Sequence, residues 1–71
     1  MPVVEIRTPM PLVEQSKLSD NVFSIISSTK MALERSKIYS KDEIAKIIEE
    51  MTISDYDNAV KTMLDYCIID S

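Results

Sequence analysis

Close carboxylate pairs stand in the second half of this chain, Glu49 with Glu50 and Asp55 with Asp57. Such pairs can hold a divalent cation or share acid–base work when both side chains converge. Adjacent helical positions point in different directions, however. Asp55 and Asp57 also fall where a helix is expected to begin, and there the helix dipole already favours negative charge. Cys67 is the single cysteine. No basic residue beside it in sequence would lower its pKa, so it reads as a small core residue rather than a nucleophile. Histidine and glycine are both absent. There is thus no imidazole base, no Cys/His cluster for zinc and no glycine-rich phosphate loop. No catalytic residue, cofactor site or metal site is expected.

What must position any functional side chain is one small domain of 71 residues. A chain this short buries only about 60% of the surface it exposes when unfolded, so its stability is marginal. One cysteine cannot form an internal disulfide and suits a reducing cytosol. No apolar run approaches the ~20 residues of a membrane span, and the start lacks the pattern of a signal peptide. A cytoplasmic protein with no membrane partner is expected, in the host cytoplasm if the source is viral.

The formal net charge of −4 disfavours nonspecific nucleic-acid binding. It hides a gradient. Residues 1–29 carry two cations against three anions, net −1. Residues 30–46 carry Lys30, Arg35, Lys37, Lys41 and Lys46 against three anions, net +2. Residues 47–71 carry Lys61 against six anions, net −5. Positive charge gathers mid-chain and negative charge follows it.

Residues 1–15 are expected to form an extended arm, because Pro2, Pro9 and Pro11 exclude a helix. Residues 3–7 could make a short strand, with Val4 and Ile6 on one face. The apolar load of this segment favours docking over a free tail. Residues 16–71 are expected to be tri-helical. The first helix starts near an N-cap at Ser19 and presents Val22, Ile25, Ile26, Thr29, Ala32 and Leu33 on one stripe. Phe23 is expected on a widened core face. Met31 lies off the stripe.

Ser40-Lys41-Asp42-Glu43 matches the capping box that opens a helix. Ile44, Ile47, Ile48 and Met51 follow at helical spacing, and this helix ends near residue 50 or 51. After a turn at Thr52 and Ile53, Ser54 is the expected cap of a third helix. Its apolar face is Tyr56, Ala59, Val60, Met63, Leu64 and Cys67. Its exposed face is Asp55, Asn58, Lys61, Thr62 and Asp65. The segment 67–71 reads as an exit into a strand, although no glycine is present to end the helix in the usual left-handed way. Tyr39, Tyr56 and Tyr66 are expected to cap the core with their hydroxyls in water.

With these residues in place, the chain resembles the winged-helix branch of the helix-turn-helix superfamily over residues 19–71. Residues 40–51 match the first helix of the motif, 52–54 the turn, 55–66 the second helix, and 67–71 the strand that leads into the wing. The resemblance implies a mainly α, three-helix, winged-helix-like core with an extended N-terminal arm or short strand. It also implies that Asn58, Lys61 and Thr62 are the positions that would reach base edges. Two departures stand out: the chain stops before a wing, and Cys67 takes the place where a glycine is common between the second motif helix and the following strand; Asp55, Asp57 and Asp65 also make that helix acidic.

Three functions follow as expectations. The first is a non-enzymatic regulator that binds a protein of a transcription or replication machine through Asp55, Asn58, Lys61, Thr62 and Asp65. The second is a DNA-binding regulator, a homodimer whose positive surface comes from Lys30, Arg35, Lys37, Lys41 and Lys46. The third is a small structural subunit of a virion or other assembly.

Overall fold

The computed structural model describes residues 3–70. Pro2 of the expected arm and Ser71 of the expected exit strand lie outside the described residues. The order of elements is strand β1 (Leu12–Glu14), a 3-10 turn (Gln15–Lys17), helices α1 (Val22–Ser36), α2 (Lys41–Thr52) and α3 (Tyr56–Tyr66), then strand β2 (Ile68–Asp70). The fold is mainly helical, with all three helices packed on one another.

Local chemistry sets the helix ends. At α2 the capping box forms in full: the Ser40 hydroxyl accepts from the Glu43 amide at 3.2 Å, and the Ser40 amide donates back to the Glu43 carboxylate at 2.9 Å. Helix α1 begins later than Ser19, because the Asn21 side chain caps the Phe23 amide at 2.9 Å. At α3 the cap is Asp55, which accepts from the Asn58 amide at 2.9 Å. Ser54 instead donates to the Glu50 carbonyl at 2.6 Å and closes the end of α2. In a glycine-free chain the left-handed residue falls at the end of α1, where Lys37 has φ 56°. A residue with a Cβ pays roughly 1–2 kcal/mol there. Helix α3 needs no such residue. Cys67 is already extended (φ −133°, ψ 160°), and the chain runs straight into β2.

The two strands pair in parallel, with Leu12 opposite Ile68, Val13 opposite Ile69 and Glu14 opposite Asp70. A parallel pair requires a crossover, and here the crossover is the whole three-helix unit. The expected strand at residues 3–7 is therefore misplaced. The segment that pairs is 12–14, because Val13 can be fully buried there at 2% exposure while Ile6 stays exposed.

The core joins Val13 to Ile25, Ala32 and Leu33 of α1, Ile44, Ile47 and Met51 of α2, and Ala59, Met63 and Tyr66 of α3, with Tyr39 and Cys67. Thr29, buried among them, donates its hydroxyl to the Ile25 carbonyl at 2.8 Å. Two expectations about this core fail. Phe23 is 69% exposed and belongs to no core face. On α3 the buried residues are Ala59, Met63 and Tyr66, while Tyr56 and Leu64 are exposed. The buried stripe of α3 is rotated towards Tyr66, whose ring meets Tyr39 edge-on at 6.0 Å.

The tyrosine hydroxyls give the third correction. Tyr66 Oη accepts from the Val4 amide and donates to the Val4 carbonyl, each at 2.7 Å. Tyr39 Oη accepts from the Arg7 amide at 2.9 Å. Both hydroxyls bind the backbone of the arm, which carries no ladder of its own over these residues and must satisfy its polar groups elsewhere. Tyr56 is exposed, but its hydroxyl also finds a protein partner, donating to the Ser19 carbonyl at 3.1 Å.

Arg7 completes the attachment. Its guanidinium lies 5.1 Å from the Tyr39 ring centroid, donates to the Ile38 carbonyl at 3.1 Å, and grips both oxygens of Glu43. The fork of Arg suits such two-point contact. That hydrogen-bonding pulls the Glu43 carboxyl down to about 2, with the Ser40 amide adding to it.

Two outcomes follow from this arm. Tyr66→Phe removes the only hydroxyl that satisfies both polar groups of Val4, and should lower unfolding free energy in urea by about 1–2 kcal/mol. Glu43 is held below its ordinary range, so its contribution is full above the ordinary carboxylate pKa and lost as pH falls towards about 2. The fall in Tm between pH 5 and pH 2 should therefore be smaller in Glu43→Gln than in the parent chain. Equal slopes would remove this pair from the acid response.

Candidate partner-binding surfaces

Helix α3 presents Asp55, Asp57, Asn58 and Lys61 to solvent, while Thr62 and Asp65 are half-buried. Two of these already have structural work. Asp55 caps the helix, and the Thr62 hydroxyl donates back to the Asn58 carbonyl at 3.0 Å. The negative charge available to a partner therefore comes from Asp57 and Asp65, with Lys61 between them.

The five mid-chain cations do not form one surface. All are exposed. Lys30, Lys37 and Lys41 border a groove of about 1010 Å³ between α1 and α2. Arg35 lines a separate small cleft of about 20 Å³ beside β1, with Leu12, Val13 and Met31. Lys46 lines neither. No residue of α3 lines the groove. The groove that gathers three of those cations is thus built without the helix expected to reach bases.

The groove is the feature that sequence reading missed. Its floor is Ile44, Ala45 and Ile48 of α2, with Tyr39 at one end and Ile53 at the other. Ile44 and Ile48 lie on the periodic stripe that predicts a core face. Ile44 is buried, but Ile48 is only half-buried and Ala45 is exposed. The stripe is wider than the contact with α1 and α3 requires. Its one sequence signal is Ile53, an apolar residue in a turn, which is 74% exposed.

Among the described residues, no group of three or more His, Cys, Asp or Glu is placed to hold a metal ion. Glu49 lines the groove, whereas the carbonyl of Glu50 serves Ser54. No described helix is long and apolar enough to cross a membrane. Cys67 is buried, and desolvation pushes its thiol up to about 12. Burial of the Tyr66 ring raises its hydroxyl in the same way. No protein-family model, curated protein or solved structure matches this chain.

A thiol in this state should resist iodoacetamide at pH 8 in the folded chain and react at the rate of a free cysteine in denaturing urea. Rapid alkylation without denaturant would show that the junction of α3 and β2 opens readily.

Proposed function

We propose that this chain is a small non-enzymatic regulator that acts by binding a protein, a component of a transcription or replication machine. The observation that supports it is the acidic face of α3, with Asp57 exposed and Asp65 half-buried. Asp57 and Asp65 outnumber Lys61 on the helix that, in a helix-turn-helix, would approach DNA. Those carboxylates would meet phosphates and be repelled, whereas a basic protein surface would be attracted.

One observation favours the alternative of a dimeric DNA-binding regulator: Lys30, Lys37 and Lys41 share the border of one groove. Two copies would double that positive surface.

Capture from the native host with a tagged chain, after nuclease treatment, tests the first reading. Asp57→Lys with Asp65→Lys should reduce the retained protein about tenfold, equivalent to ~1.4 kcal/mol. Asp55 is left intact because its loss would uncap α3. Unchanged retention removes α3 from the reading. Salt-dependent retardation of duplex DNA by micromolar chain, lost with Lys30→Glu and Lys41→Glu, would favour the alternative instead.

A further inference from the structure

The geometry points to the groove between α1 and α2 as a docking site for an acidic amphipathic helix supplied by another protein. This rests on the protein-binding reading and adds to it a surface distinct from α3. The charge argument comes first. Three lysines against Glu34 and Glu49 give the groove lining a net +1 in a chain of net −4. Among the described residues, none forms an ion pair with Lys30, Lys37 or Lys41. They are therefore free to meet carboxylates from outside, flanking a floor that is apolar.

Shape supplies the second part. Helix α2 has 12 residues, and at about 1.5 Å per residue it offers a floor ~18 Å long. That length matches about three turns of a docking helix. Such a helix places apolar side chains at i, i+3 or i+4, and i+7. These would sit on Ile44, Ala45 and Ile48, with the exposed Ile53 extending the contact at one end. Carboxylates on the flanks of the same helix would fall beside Lys30, Lys37 and Lys41.

A second copy of this chain meets only half of these requirements. Its acidic helix is α3, but Ala59, Met63 and Tyr66 are spent on its own core. The exposed Tyr56 and Leu64 stand eight positions apart, more than two turns, with a half-buried Val60 between them. It offers charge without the close row of apolar anchors.

The test titrates the full chain, isotopically labelled, with a synthetic 14-residue helical peptide carrying Leu at the anchor positions and Glu on the flanks. A matched peptide has Lys in place of Glu. The Glu peptide should shift the amide signals of Ile44, Ala45, Ile48 and Ile53 saturably. Lys30→Glu with Lys41→Glu should weaken it at least about fivefold at low salt, with helical circular dichroism unchanged because both residues are exposed. Absence of shifts at millimolar peptide, or equal binding of the Lys peptide, would overturn the proposal. So would self-association in sedimentation that the lysine reversals abolish, since the occupant would then be a second copy. If the peptide fails while the Asp57→Lys, Asp65→Lys chain still loses its captured protein, the groove falls and the protein-binding reading stands. If both fail, both fall.

Discussion

The N-terminal arm is held by two tyrosine hydroxyls and one arginine, and much else in this domain depends on that attachment. Tyr66 takes both backbone groups of Val4, Tyr39 takes the Arg7 amide, and the Arg7 guanidinium binds Glu43. The arm in turn brings Val13 into the core and gives β2 its pairing partner. A three-helix unit of this size has little apolar surface to bury. An arm that closes one side of it adds core contact and leaves fewer backbone groups unpaired. Glu43 is central because it serves twice, as the third residue of the α2 capping box and as the partner of Arg7. The start of α2 and the position of the arm are thereby one structural decision.

That arrangement also bears on the resemblance to winged-helix domains. The strand after α3, expected to lead towards a wing, pairs instead in parallel with the arm that precedes α1. The charge is distributed to match. The acidic α3 contributes nothing to the lining of the lysine-bordered groove.

The local signals were legible wherever the chemistry is short-range. Ser40 and Glu43 mark the start of α2 because a capping box needs only its own four residues. The stripe Ile25, Thr29, Ala32 and Leu33 marks the buried face of α1 because a helix repeats every 3.6 residues. Boundaries were less legible where neighbours compete for one role. Ser19 and Asn21 can both cap α1, and Ser54 and Asp55 can both cap α3. The structure uses Asn21 and Asp55. Tyr66 was misread because its neighbour Leu64 is the more apolar residue. The choice between them turns on the rotation of α3 and on a hydroxyl partner 62 positions away in sequence.

Sequence by itself determined that this is a mainly helical chain with three amphipathic segments, that α2 has a built-in start, and that positive charge precedes negative charge. These follow from spacing and composition, which act over a few residues. Only the tertiary structure decided where the arm docks, which strand forms, and that Lys30, Lys37 and Lys41 share a groove while Arg35 and Lys46 do not. The carboxylate pairs are placed at the same level. Asp55 is a helix cap, and Glu49 borders the groove while Glu50 does not. Such placements depend on contacts between segments far apart in the chain. The local pattern carries no record of which of its faces a distant segment will cover.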